Sequence, residues 1–410
     1  MNNFYKEIFT EYKTIYGLSL INNKFEFGDN MQQSGKGIRI YSNCYEKYYF
    51  QSIDSEFKSL ISFTDWVNQT IEILTIAQKE ISSLMGRNSR LYLNLNVWYT
   101  DQFVKIKRVE NGNKTDRRVY STIRLRLRIQ RKKSEYSLDE VFNLPYSRKE
   151  FSQQLLDYLR YALEGCCQMV GAKYYPDIST ENVLFSREAA AFFIHEACSH
   201  HFEADALLGG ASVFSNIHEG EYVANSIFSL ADISNYPGCA LSLKVDDEGT
   251  ECIPIPLISQ GILSGGLYDF RRAKLLGKKA GGNGRRHDYR YPSLPRIRIS
   301  MVSPGTSKLD DVISDIKKGV FISRIRSGKV NIVTGKFSLA VSEVYLIRNG
   351  KIAYPIAPFT ITGFTTSALK NIEAVCDDLY VTSHPCGKGD QVVPVGIVCP
   401  SLFVKNLKMG

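Results

Sequence analysis

Apolar residues recur at helical spacing in two stretches of the first 170 residues. The segment TDWVNQTIEILTIAQKEISSLMG, residues 64–86, predicts a helix that stops at Gly86. Residues 147–168 predict a second helix, with one apolar side formed by Phe151, Leu155, Leu156, Leu159 and Leu163. The opening stretch, MNNFYKEIFTEYKTIYGLSL, also predicts an amphipathic helix.

Between these helices the pattern changes to the two-residue period of β-strands. GKGIRIYSNCYEKYYFQSI predicts two strands around a turn at Ser42 and Asn43. LYLNLNVWY alternates, the sequence NGNK at 111–114 supplies a turn, and TIRLRLRIQ alternates again. Residues 90–150 are therefore expected to form an antiparallel β unit.

The remainder opens with a helix beginning near Ser186 and continuing through AAAFFIHEACSHHFEADAL. Short β-like runs follow, such as KVNIVTGKFSLAV and SEVYLIRNGKIAYPI, the latter with a turn at Asn349 and Gly350. A helix on extensive antiparallel sheet, after a mixed N-terminal domain and a β-rich middle segment, is an α+β fold.

A chain of 410 residues exceeds one ordinary compact core, so two or three domains are expected. PDIST at 176–180 predicts a boundary between an N-terminal α/β portion, 1–182, and a C-terminal domain, 183–410. The N-terminal portion divides further, in one interpretation, into 1–86 and 87–182.

Composition narrows the class of protein. Hydrophobic residues make up 44% and charged residues 23%, as in soluble globular proteins, and the sequence contains no apolar run long enough to span a membrane. Charges within the opening residues argue against a secretory signal. The nine cysteines form no CxxC pair, which favours a reduced cytoplasmic compartment.

The formal net charge of +9 raises the question of nucleic-acid binding. Much of the excess falls within residues 105–133, where basic and apolar residues alternate as on a strand with one solvated face. No nucleic-acid-binding motif accompanies the charge, so a solvated face is the preferred interpretation. A basic face that attracts an acidic peptide stays open.

Three of the six histidines fall within seven residues: His195, His200 and His201. Histidine suits zinc, and a neighbouring glutamate such as Glu196 is the usual general base. Positions five apart on a regular helix differ by about 140°, so His195 and His200 share an ion only if the helix bulges or ends between them. Several alternatives stay open. His201 could be the ligand in place of His200, and Glu203 and Asp205 could either coordinate the metal or be surface charges. The histidines could also be merely solvated or satisfied by hydrogen bonds.

Several further segments, separated along the chain, bear on the histidine cluster. HEACSHHFEAD and GGASVFSNIHEGEYVA are followed in order by VDDEGT, LISQGILSGGLYD, GGNGRR, PRIRISMVSPG, TGKFSLAVSEVYLIRNGK and PCGKGDQVVPVG. This collinear set resembles the TldD/PmbA metalloprotease family over the whole last segment. Ser199, Ala204 and Ile299 depart from the family pattern, and none of them is a ligand or base.

The resemblance implies zinc held by His195, His200 and Cys386, with Glu196 as the catalytic glutamate. Retention of all four residues implies a TldD-like, zinc-bearing member. The implied activity is hydrolysis of peptide bonds in short or unfolded peptides, including leader-peptide removal or peptide maturation. The implied assembly is a dimer, either with a PmbA/TldE-like subunit or with a second copy.

Two other interpretations are kept. The first is a zinc-stabilised, non-catalytic subunit or scaffold of a TldD/PmbA-type complex, and the second, less favoured, is a basic nucleic-acid-binding module. Arg285 and Arg286 are weak substrate-binding candidates, holding either a peptide carboxylate or a buried acidic partner. The remaining histidines are expected to be structural or solvated, with attention to the one two residues before Cys386: His218, His287 and His384.

Overall fold

A computed structural model describes residues 5–42, 45–55, 57–84, 89–110, 112–175 and 180–409. Its first sheet is wholly antiparallel, with strand order β3-β2-β1-β4-β5-β6. The strands are β1 (Tyr5–Ile21), β2 (Lys24–Tyr41), β3 (Glu46–Ser52), β4 (Ser89–Arg108), β5 (Gly112–Arg131) and β6 (Ser134–Pro145). The predicted antiparallel β unit within residues 90–150 is thereby confirmed.

Two helices cover one face of this sheet. Helix α1 (Phe63–Ser83) and helix α2 (Arg148–Met169) confirm both helices predicted from apolar spacing. Their apolar sides pack with the inward side chains of β4 and β5 in one core that includes Trp66, Leu125 and Leu159. The predicted helix stop at Gly86, the turn residues Asn43 and Asn111, and positions 176–179 of the boundary motif lie outside the described residues.

The prediction of an opening helix is wrong, because residues 5–21 form the central strand β1. Its charged residues suggested the solvent-facing side of a helix, yet Glu7 and Glu11 are completely buried. Glu7 pairs with Arg286, and Glu11 accepts a hydrogen bond from the backbone amide of Tyr289. Ion pairs to distant residues therefore replace solvent on this face of β1, which hides the strand alternation.

Residues 180–409 build two further sheets and a short ribbon. One sheet has the order β10-β9-β8-β13-β20-β19. The other has the order β14-β7-β21-β17-β15-β16, and β14 and β15 also pair with each other, so the strands from β14 to β15 form a closed ring. The strands are β7 (Thr180–Phe185), β8 (Leu230–Ile233), β9 (Ile255–Ser259), β10 (Ile262–Leu263), β11 (Gly284–Arg285), β12 (Leu294–Pro295), β13 (Ile299–Val302), β14 (Lys318–Asn331), β15 (Lys336–Arg348), β16 (Lys351–Pro355), β17 (Thr360–Phe364), β18 (Ile372–Val375), β19 (Tyr380–Lys388), β20 (Gln391–Cys399) and β21 (Leu402–Met409).

Short helices connect these strands, and α3 lies in the core between the two larger sheets. The helices are α3 (Arg187–Ala197), α4 (Ala204–Leu208), α5 (Phe270–Leu275), α6 (Leu309–Asp315) and α7 (Thr365–Lys370), with a 3₁₀ turn at Ser199–Phe202. The fold is α+β, as predicted. Across the described ranges, the helices are too short or too polar to cross a membrane. The domain division at residue 182 stays a prediction.

Candidate metal centre

Helix α3 begins where its sequence provides a cap. The Ser186 hydroxyl accepts a hydrogen bond from the backbone N–H of Ala189 at 3.2 Å, which satisfies a free amide of the first turn. The three alanines at 189–191, Phe193 and Ile194 are buried, so most of the helix surface lies in the core. The helix therefore holds His195, near its last turn, in a fixed and buried position.

The helix ends at Ala197, between the two histidines that the sequence places five residues apart, so the prediction of one helix continuing to Leu207 is wrong. A 3₁₀ turn, Ser199–Phe202, follows and carries His200. The change of helix type brings the two imidazole centroids to 4.7 Å with the rings at 72°. The prediction that the helix must bulge or end between the histidines is confirmed.

Strand β19 brings the third group to this place. The Cys386 Sγ atom lies 3.3 Å from His195 Nε2 and 3.5 Å from His200 Nε2. All three atoms lie within 4.8 Å of one another. Zinc bonds of about 2.0 Å to nitrogen and 2.3 Å to sulfur, at tetrahedral angles, would separate nitrogen and sulfur ligands by about 3.5 Å. The chemistry and spacing of this donor set therefore fit Zn²⁺.

Ionisation of these groups also suits a metal. Burial alone would raise the pKa of the Cys386 thiol, but the hydrogen bond and charge of His200 outweigh it and lower that pKa to about 7. Burial opposes a charge on His200, yet Glu203 and Cys386 raise its pKa to about 10. Burial, with the charge of His200, lowers the pKa of His195 to about 3. A thiolate is thus available near neutral pH, which is the form that metals bind.

Hydrogen bonds from behind hold His200 and Cys386 in position. His200 Nδ1 donates to Glu203 Oε2 at 3.1 Å, and the Lys388 ammonium donates to the same oxygen at 2.9 Å. The guanidinium of Arg296 donates to the backbone carbonyl of Cys386 at 2.6 Å. A carboxylate behind a ligating imidazole sets its orientation and basicity. Sequence reasoning missed Arg296 and Lys388, although both lie in quoted family segments.

The other candidates near the histidines have different places. His201 Nε2 lies 3.1 Å from the hydroxyl of Thr365 and outside the three-atom group, so His201 makes a buried hydrogen bond in the core. Glu203 is only 1% exposed, and the surface-charge interpretation is wrong for this residue. Asp205 accepts a hydrogen bond from Lys388 at 2.7 Å. Neither acid joins the ligand group among the described residues.

Glu196 is half-buried and lines a cavity of about 620 Å³ beside the ligand group. The same cavity is lined by His384 from β19 and by residues of β6. Arg285 and Arg286 lie elsewhere in buried surroundings: Arg285 donates to the carbonyl of Ile297. Arg286 pairs with Glu7, so it holds a buried acidic partner, one of the two roles expected of these arginines. Contact of either arginine with substrate stays a prediction.

The chain is similar to known metallopeptidases over its C-terminal half. Residues 179–410 match the family described as PmbA/TldA metallopeptidase C-terminal domain. The metalloprotease TldD homolog of Buchnera aphidicola subsp. Acyrthosiphon pisum is 38% identical over 219 residues, which are 53% of this chain and 45% of that protein. The zinc metalloprotease TldD homolog of Saccharolobus solfataricus is 31% identical over 230 residues, 56% of this chain and 51% of that protein. The chain spans about half the length of these curated relatives.

Solved structures share the fold over nearly the whole chain. TldE from Thermococcus kodakarensis superposes with a TM-score of 0.79 at 15% identity, covering 99% of this chain and 96% of that one. A protein from Thermotoga maritima, described as a putative modulator of a DNA gyrase, gives a TM-score of 0.80 at 16% identity, with the same coverage of 99% and 96%. Since more than half of the sequence, including both histidines and the cysteine, matches the family's C-terminal domain, this chain belongs to the TldD/PmbA family.

Proposed function

We propose that this protein is a zinc-dependent peptidase of the TldD-like type that hydrolyses peptide bonds in short or unfolded peptides. The observation that carries the proposal is the convergence of His195, His200 and Cys386 at zinc-ligand spacing, beside a cavity into which Glu196 projects. Three protein ligands leave a fourth position open, as catalytic zinc sites require.

The chain's own residues supply binding and proton transfer. When bound, Zn²⁺ polarises the scissile carbonyl and acidifies water. Glu196 takes a proton from the attacking water as the water oxygen bonds to the carbonyl carbon. It then gives that proton to the amine nitrogen as the C–N bond breaks. His195, His200 and Cys386 hold the site, and Glu203 orients His200.

The edge strands that line the cavity support an extended chain as substrate. Strand β6 is the last strand of the first sheet and β19 the last strand of the second, and both line the cavity. Edge strands offer unpaired backbone groups, to which an extended peptide adds as a further strand. A second cavity of about 690 Å³ shares Tyr158, Glu188 and Thr382 with the first, which lengthens the available groove.

The decisive experiment is product analysis by mass spectrometry on unstructured casein peptides, with zinc, with a chelator, and with Glu196→Ala. That variant should retain zinc and lose about 10²–10⁴-fold in turnover, because it lacks the base. Glu219→Ala, a change at an exposed residue paired with Lys278, is the matched control and should cleave normally. Equal turnover of Glu196→Ala and wild type would refute the mechanism.

The scaffold alternative and the partner are tested in the same material. We propose a dimer, with a PmbA/TldE-like subunit or with a second copy, and removal of leader peptides as the physiological reaction. Cleavage assays with and without a co-purified TldE-like chain, alongside light scattering, test both proposals. Full zinc occupancy without cleavage under every one of these conditions would favour the scaffold.

A further inference from the structure

His384 lies next to the metal centre without belonging to its ligand set. Successive side chains of a strand point to opposite faces, so residues two apart share a face, and β19 therefore presents His384 and Cys386 on the same side. The imidazole of His384 contacts that of His195, with centroids 4.7 Å apart and rings at 89°. It also lies 6.2 Å from the Phe192 ring, so α3 fixes its position.

One nitrogen of this ring is unused by the protein. His384 Nε2 is buried and has no hydrogen-bond partner among the residues of the described ranges. Buried polar atoms in native proteins are usually satisfied by protein, water or ligand, so this nitrogen is available to a group that binds in the adjoining cavity. The metal-ligand group contains His195, His200 and Cys386 but not His384. The orphan nitrogen is therefore suited to a ligand other than the metal itself.

The same ring lines the cavity that contains Glu196. The two side chains come from different elements: His384 lies in β19 and Glu196 in α3. Carboxylates outnumber arginines in the wall of this cavity, so the wall opposes negative charge that develops on a substrate. Its charged residues are Asp139, Glu140, Glu188, Glu196, Arg124 and Arg326.

We propose that His384 is a catalytic residue whose Nε2–H donates a hydrogen bond to the carbonyl oxygen of the scissile peptide bond. This inference rests on the peptidase function proposed above. As the water oxygen bonds to the carbonyl carbon, negative charge develops on the carbonyl oxygen, and a fixed hydrogen-bond donor at that oxygen stabilises it. Glu196 carries the water proton to the leaving nitrogen, while His384 keeps its own proton throughout.

Three variants test the proposal: His384→Leu, His384→Gln and the control His218→Leu, a change at an exposed histidine outside the site. We expect His384→Leu to lower kcat on casein peptides by about 10²–10³-fold with little change in KM. It should weaken a phosphinic peptide, which mimics the tetrahedral state, by a similar factor. His384→Gln keeps an N–H donor and should recover part of both losses, and His218→Leu should match the wild type.

Two measurements separate this role from its alternatives. Zinc content and the visible absorption of the cobalt-substituted protein should be the same for His384→Leu and wild type. A changed cobalt spectrum or a loss of metal would make His384 a ligand and overturn the proposal. Unchanged kcat and phosphinate affinity would make it structural. If even the wild type cleaves no peptide, the proposed function fails, and equal phosphinate affinity of wild type and His384→Leu would then refute the hydrogen bond separately.

Discussion

Glu203→Gln is expected to weaken zinc binding without removing a ligand. The Glu203 carboxylate is buried, and one of its oxygens accepts hydrogen bonds from both His200 Nδ1 and Lys388. Burial would raise the pKa of this carboxyl, but the charges of His200 and Lys388 outweigh it and hold the pKa well below its usual range. The group is thus a carboxylate that makes His200 a stronger electron donor.

The size of the effect follows from what glutamine cannot supply. Its single carbonyl oxygen lacks the negative charge that faces both cations, and its NH₂ group is a donor where the second oxygen accepts from the backbone amide of Ile297. Loss of such an outer partner costs about 10–100-fold in metal affinity, or about 1.4–2.8 kcal/mol. Burial of the site places the expectation at the upper end.

Competition with a chromophoric zinc chelator at pH 7.5 measures the affinity directly. Asp205→Asn is the matched control, because Asp205 also accepts a hydrogen bond from Lys388, whereas the hydrogen bond from His200 goes to Glu203. Only Glu203→Gln should lose affinity by tenfold or more. Equal losses in the two variants would mean that anchoring of Lys388, and not support of His200, governs the metal, and an unchanged affinity in Glu203→Gln would refute the reasoning altogether.

Three further outcomes are expected. The pKa of His200 is raised to about 10 and that of Cys386 is lowered to about 7, so zinc uptake should release about one proton at pH 8 and nearly two at pH 6. Calorimetry in buffers of different ionisation enthalpy measures this release. No release at pH 8 would contradict a charged His200. Burial raises the pKa of Glu188 to about 7, so its contribution to stability is present below the unfolded-state value near 4.5 and lost as pH rises through 7. Urea unfolding of Glu188→Gln should therefore show a stability, relative to wild type, that increases from pH 5 to pH 8, and a constant difference would exclude this titration. Gly305→Ala would place a Cβ 2.0 Å from the backbone carbonyl oxygen of Val375. This clash should lower the free energy of unfolding by about 1–3 kcal/mol. An unchanged urea midpoint would show that the loop relaxes.

Sequence patterns predicted those elements whose one face is apolar and whose other face is solvated. Helix α2 is such an element, and the basic strand β5 is another, with Arg124 and Arg126 outside, paired with Asp139, and Leu125 inside. Strand β1 was not predicted by this alternation, because its charged residues are buried against distant parts of the chain. Periodicity reports solvation, and it fails where ion pairs take the place of water.

The metal centre shows the same division between local and distant information. The spacing of His195 and His200 was enough to require an interruption of the helix, which the structure contains. No spacing rule brings Cys386 to them, and only the family resemblance pointed to it. The hydrogen bonds of Glu203 and Lys388 depend on the packing of strands that are far apart in sequence, so sequence alone gave no account of them.

The thiolate of the centre is 186 residues beyond His200 along the chain, on a strand that is placed by pairing with β20. During synthesis, the histidines are present long before the cysteine exists. A chain that is still growing, or one whose final strands have detached, thus has two of the three groups of the candidate metal centre. Under the proposed function, an unfinished copy would therefore lack the complete site needed to cut other unfinished copies.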